Sequence, residues 1–110
     1  ITLGTGIGGG IVFRKGKAHE IYRGAFGRAG EVGHMAIKFD GLRCSCGNLG
    51  CFEQYASEEF IKRKTKVSPI ELERRAKKGD KQARNIYREF GRNLGIGLAN
   101  LINILDPEVI

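Results

Sequence analysis

Leu3-Gly4-Thr5-Gly6-Ile7-Gly8-Gly9-Gly10-Ile11-Val12-Phe13 is the stretch on which the fold turns. Five of the seven residues from Gly4 to Gly10 are glycine, and a β-rich run follows. The cluster contains a formal G-x-G-x-x-G at Gly4, Gly6 and Gly9. A dinucleotide-binding fold would need a helix immediately after it, with the pyrophosphate on the helix N-terminus. The β-branched run Ile11-Val12 argues for a strand instead, and Lys15-Gly16 for a hairpin turn. A Walker A loop is excluded because no Gly-Lys-Ser/Thr closes the cluster. A strand–glycine turn–strand unit can still hold phosphate. Successive N–H groups with no Cβ in the way form an anion-binding nest, to which Thr5 adds a hydroxyl. A plain hairpin needs only one or two glycines.

Outward from this cluster the composition divides near residue 52. Thirteen of the 17 glycines precede residue 51, and the remainder of the chain has a helical pattern. His34 to Phe39 alternates loosely, as a strand would, before an Asp40-Gly41 turn. A helix is expected from Glu53 to about Lys64, with Tyr55, Phe60 and Ile61 on its apolar side. Ser68-Pro69-Ile70-Glu71 has the form of a capping box with Pro in the first turn. Gly79 should close that helix and Asp80 cap the next. Ala83, Tyr87, Phe90, Leu94, Leu98, Leu101 and Leu105 then predict one long helix running to Asp106-Pro107. Gly91 and Gly95, one turn apart on it, lower helix propensity and predict close packing against a neighbour. No internal repeat is present.

Metal chemistry comes from His34, Cys44, Cys46 and Cys51. Three thiolates and one imidazole make the ligand set of a closed, tetrahedral, structural zinc site. Cys44-Ser45-Cys46-Gly47-Asn48-Leu49-Gly50-Cys51 is too polar and glycine-rich for a core strand, and an iron–sulfur cluster would call for a fourth cysteine. His19 reads as a surface loop residue. Glu31 and Glu53 stand three residues before His34 and two after Cys51, so a metal would fix both carboxylates in space. There they could accept paired hydrogen bonds from vicinal hydroxyls. Glu53 could equally be an acid at a helix N-terminus, and Glu31 a solvated loop residue. The chemistry alone leaves these readings even.

The net charge of +7 is concentrated in residues 61–92, where 12 Lys/Arg stand against 4 Asp/Glu. A basic half can mark a nucleic-acid partner. The aromatic residues in this range, Tyr87 and Phe90, fall on the apolar stripe of the long helix and are not interleaved with the charges for stacking, so solvated helix faces are the preferred reading. A zinc-ribbon-like nucleic-acid module stays as a remote alternative. The uncharged stretch Asn93 to Leu105 is shorter than the ~20 apolar residues of a membrane span. No basic, apolar and small-residue leader pattern is visible, and crowded cysteines suit a reducing compartment, so a cytoplasmic location is expected. Ile1-Thr2-Leu3 and Glu108-Val109-Ile110 both read as strands of a larger sheet, and the chain as a segment of a larger domain.

Three motifs together carry a family resemblance. Leu3 to Gly10, Ala29-Gly30-Glu31-Val32-Gly33-His34-Met35, and Cys44 to Glu53 resemble, in order and spacing, the ROK family of repressors, open reading frames and sugar kinases. The resemblance implies an α/β segment of an actin/hexokinase-like (RNase H-like) ATPase domain. Residues 1–52 would carry the phosphate-binding hairpin, sugar-site loop and zinc loop, and residues 53–106 the helices. It implies that Thr5, Gly6, Ile7, Gly8, Gly9 and Gly10 contact the ATP phosphates and that Glu31, His34 and Glu53 contact sugar hydroxyls. It also implies structural Zn2+ on His34, Cys44, Cys46 and Cys51, and Mg2+ brought in with ATP. His34 could bind zinc through one ring nitrogen and sugar through the other. The activity implied is glucokinase-like transfer of the γ-phosphoryl group to a hexose hydroxyl, in a homo-oligomer. The general-base Asp is expected before Ile1, so the segment alone should be inactive. The alternative is the sugar-sensing domain of a repressor of the same family, with DNA as partner.

Overall fold

The computed structural model describes residues 1–110. Two short strands, β1 (Thr2–Leu3) and β2 (Ile7–Gly8), pair antiparallel across the Gly4–Gly6 turn, with Leu3 opposite Ile7. After Gly9 and Gly10 the chain enters a second hairpin, β3 (Ile11–Lys15) and β4 (Ala18–Tyr22), with Ile11 opposite Tyr22. The expected strand–turn–strand arrangement is therefore present. The second turn centres on Gly16-Lys17, one residue later than expected, because Lys15 and Ala18 still pair. His19 is exposed, as expected, but lies in β4 and not in a loop.

Three helices complete the chain: α1 (Glu58–Thr65), α2 (Pro69–Lys77) and α3 (Lys81–Leu105). Their ends follow local chemistry. Ser68 Oγ accepts from the Glu71 N–H at 3.2 Å. Asp80 accepts from the N–H groups of Gln82 and Ala83 at 2.8 and 3.1 Å. The reciprocal half of the capping box does not form, because the Glu71 carboxylate is held instead by Arg74 and Arg75.

Two expected elements are different. His34 to Phe39 is not a strand. Its first residue ends a 3-10 turn, Val32–His34, and afterwards only Ala36 makes a bridge, to Cys51. The helix expected from Glu53 is broken. A 3-10 turn, Phe52–Gln54, is followed by an extended Ser57, and α1 starts only at Glu58. The break has a tertiary cause: the Glu58 N–H donates to the Gly4 carbonyl at 2.8 Å, tying this corner to the glycine turn.

The core has two parts. Phe60, Ile61, Leu72, Ala83 and Ile86 fill the junction of the three helices. Ile7, Phe52 and Ala56, with Val32, Met35, Ile37 and Leu94, lie beneath the glycine turn. Phe90 of α3 packs against both. The expected close packing at Gly91 and Gly95 is absent, for a Cβ at either would meet nothing within 4 Å. The glycine that α3 requires is Gly97, where a Cβ would overlap the Phe52 ring. A groove of about 580 Å³ between β3 and the end of α3 lies apart from the cysteines. Val109 and Ile110 are exposed and pair with no strand. No helix is long and apolar enough to cross a membrane.

Candidate metal centre and sugar site

Two backbone turns bring the four candidate ligands together. The Val32–His34 turn presents His34, and the Cys44–Cys51 loop folds back through hydrogen bonds from the Cys44 N–H to the Asn48 carbonyl (2.8 Å) and from the Gly47 N–H to the Cys44 carbonyl (3.0 Å). Gly50 has φ +72° and passes so close to the Lys38 carbonyl that no Cβ could fit. Tyr55 Oη accepts from the Leu42 N–H at 2.6 Å and fixes the strap leading into Cys44. Gly33 packs on the Ile7 backbone, so the histidine turn is seated directly on β2.

The donor atoms of His34, Cys44, Cys46 and Cys51 all lie within 4.8 Å of one another. Cys44 Sγ is 3.6 Å from His34 Nδ1, and Cys46 Sγ is 3.6 Å from Cys51 Sγ. A tetrahedral zinc with arms of about 2.3 Å to sulfur and 2.0–2.1 Å to nitrogen has edges of about 3.8 Å for S···S and about 3.6 Å for S···N. These two separations match tetrahedral edges, the four donors lie within 4.8 Å of one another, and the donor set can bind zinc. No cysteine is in a disulfide, and Cys44 and Cys51 are buried whereas Cys46 is exposed. The hydrogen bond with Cys44, followed by the charges of Glu53, Cys44 and Glu31, raises the His34 pKa against its desolvation. The Asn48 backbone N–H holds the Cys46 thiol below its ordinary value. Burial, then the neighbouring Cys46 and Cys44, pushes the Cys51 thiol up. Thiolate sulfurs at this spacing would repel one another, and a divalent cation at their centre would remove that conflict.

Because Nδ1 of His34 faces Cys44, Nε2 is the ring nitrogen left for another partner. Glu53 Oε1 stands 3.7 Å from His34 Nδ1 and 3.3 Å from Cys44 Sγ. Its other oxygen lies 2.7 Å from where a Cβ of Gly6 would be, so this carboxylate occupies space that only glycine leaves open. Glu31 precedes the histidine turn, is exposed, and offers its carbonyl to the His34 N–H at 3.1 Å. Of the glycine cluster, Thr5 and Gly6 form the β1–β2 turn, Ile7 is buried, Gly8 lies in β2, and Gly9 packs against Val32 and the Gly30 carbonyl. A Cβ at Gly4 or Gly10 would meet nothing within 4 Å. The structure therefore gathers His34, Glu53 and Gly6 in one place and sets Glu31 at its rim. Gln54 and Tyr55, which also bear on the cysteine loop, are not evident from the sequence because neither is a ligand type in a recognisable spacing.

The sequence model of the ROK family matches residues 1–110. The chain belongs to the ROK family. It is 38% identical to the xylose repressor of Bacillus subtilis, over 100% of this chain and 29% of that protein. Among solved structures, the ROK hexokinase of Thermus thermophilus superposes with a TM-score of 0.86 at 35% identity, over 97% of this chain and 38% of that one. The ROK glucokinase of Streptomyces griseus, in complex with glucose and AMPPNP, gives 0.84 at 36%, over 96% of this chain and 40% of that one. These matches establish the ROK α/β fold. The chain spans about three-tenths of the length of the first curated relatives it matches. Kinases and repressors both stand among its relatives.

Proposed function

We propose that the protein carrying this chain is an ATP-dependent hexose kinase, the 110 residues forming part of one larger kinase domain. The observation that carries this reading is the physical link between the glycine turn and the metal loop. Glu53 lies against Gly6, and the Gly4 carbonyl accepts from the Glu58 N–H. A kinase has to hold phosphate donor and sugar acceptor at fixed separation, since phosphoryl transfer depends on positioning. In this reading the N–H groups of Thr5 to Gly10 hold the phosphates of Mg-ATP. Glu31, Glu53 and Nε2 of His34 receive and orient the sugar hydroxyls. Zinc on His34 Nδ1 and the three sulfurs, once bound, supplies rigidity alone, as its four protein ligands leave no open position. None of the 110 residues is assigned as general base, so the segment by itself should not phosphorylate sugar. The likeness to a glucokinase that binds glucose and AMPPNP supports this assignment. A homo-oligomeric, cytoplasmic enzyme is part of the same proposal.

The xylose repressors among the relatives favour a second reading, a sugar-sensing domain whose ligand controls DNA binding. One experiment separates the two. Full-length protein is offered a panel of hexoses and xylose with Mg-ATP, with ADP release followed alongside operator-DNA binding. The kinase reading expects hexose-dependent ADP release that Glu53→Gln reduces at least tenfold. No turnover on any sugar, together with xylose-dependent release of DNA, would replace it by the repressor reading.

A further inference from the structure

The sulfur of Cys44 has an unusual surrounding. It is 4% exposed, so water does little to solvate it. Glu53 Oε1 lies 3.3 Å away, placing a carboxylate against an atom that must be a thiolate when it binds metal. With zinc bound, three thiolates leave the centre one negative charge in excess, and Glu53 adds another beside it. A buried anion needs hydrogen-bond donors to be stable. Cys46 has the Asn48 N–H and solvent. Near Cys44 the side-chain donors are Ser45 Oγ at 3.9 Å and Gln54 Nε2 at 3.8 Å. A thiolate offers no proton, so only the NH2 end of the Gln54 amide is compatible with it. The amide is also well placed. Gln54 ends the Phe52–Gln54 turn, its N–H donates to the Cys51 carbonyl at 2.9 Å, and its own carbonyl accepts from the Arg63 guanidinium.

We propose that Gln54 is a positioning residue of the metal centre: its amide N–H donates to the Cys44 thiolate, offsets the charge of Glu53, and tightens the grip on zinc. The inference rests on the reading of the four residues as a zinc site. Groups of this kind, one step out from the ligands, change metal affinity by about 10–100-fold. Glu53 and Gln54 thereby divide the work at one sulfur. The first adds negative charge beside it, and the second keeps that charge from loosening the metal.

The test uses full-length protein and two replacements, Gln54→Met, which keeps the volume without a donor, and Gln54→Ala. Zinc affinity is measured by competition with a chromogenic chelator. The cobalt(II)-loaded protein reports the sulfur-to-metal charge-transfer band. Expected are a roughly tenfold loss of zinc affinity in both variants and a shifted charge-transfer band, with far-UV circular dichroism of the zinc-saturated proteins unchanged. If the parent binds zinc and Gln54→Met binds it within twofold, with the same cobalt spectrum, the role of Gln54 is refuted and the zinc site stands. If the parent binds neither zinc nor cobalt, the metal reading falls and takes the inference with it.

Discussion

Gly97→Ala tests the packing that supports the site. In an exposed helix position, replacing glycine by alanine stabilises by about 1 kcal/mol through helix propensity. At Gly97 the new methyl group would overlap three carbons of the Phe52 ring. That ring is 0% exposed, directly follows Cys51 of the candidate metal centre, and is hemmed in by Ile7, Ala56, Phe90 and Leu94, so it has no free space to turn into. Overpacking of this kind costs about 1–3 kcal/mol, occasionally more. With a ring that cannot retreat, the upper half of that range applies and outweighs the propensity gain. The expected net change is a loss of roughly 1–2 kcal/mol, or about 4–16 °C in Tm for a chain of this size. Gly91→Ala is the internal control, since its methyl meets nothing within 4 Å, and a gain of about 0.5–1 kcal/mol is expected. Thermal and urea unfolding followed by circular dichroism supply both numbers. If Gly97→Ala proved as stabilising as Gly91→Ala, the placement of Phe52 against α3 would be wrong.

Four further outcomes are expected. Tyr55→Phe removes the acceptor for the Leu42 N–H and should cost about 0.5–1.5 kcal/mol; hydrogen exchange at Leu42 should quicken while α3 amides stay protected. Ser68→Ala should cost about 1 kcal/mol through loss of the N-cap, read by urea unfolding. Stripping zinc with a chelator should loosen residues 31–55, read as lost near-UV signal from Tyr55 and faster proteolysis of the Cys44–Cys51 loop, with the helices of residues 58–105 retained. Arg74 and Arg75 hold the Glu71 carboxyl down at about 2. Its pKa is depressed in the folded chain, so the contribution to stability is present above about pH 4.5 and fades as pH falls toward 2. The stability difference between the parent and Glu71→Gln should therefore shrink across that acid window and stay constant between pH 6 and 8.

Local chemistry was legible and long-range contacts were not. The caps at Ser68 and Asp80 follow from side chains that reach only two or three residues along the chain, and the structure has both. The grouping of His34, Cys44, Cys46 and Cys51 was legible for a similar reason, because 18 residues hold all four and the intervening glycines allow the chain to fold back tightly. By contrast, the break between Gln54 and Glu58 comes from a hydrogen bond to Gly4, distant in sequence, and no pattern in residues 53–64 signals it. Gly91 and Gly95 drew attention by their spacing, whereas the need for glycine lies at Gly97, set by a phenylalanine from another part of the chain. The failed strand at His34 to Phe39 has the same origin. Its alternation is real, but the backbone of this stretch is committed to the Cys51 region through the Ile37 N–H to the Gly50 carbonyl and the Phe52 N–H to the Met35 carbonyl.

Phe90 gives the molecule a single hinge pin. Because its ring is shared by the cluster under the glycine turn and by the three-helix junction, neither half can shed its packing without loosening the other. Slow amide exchange in the cysteine loop and in α2 should then respond in parallel to Phe90→Leu, the signature of one cooperative folding unit rather than two.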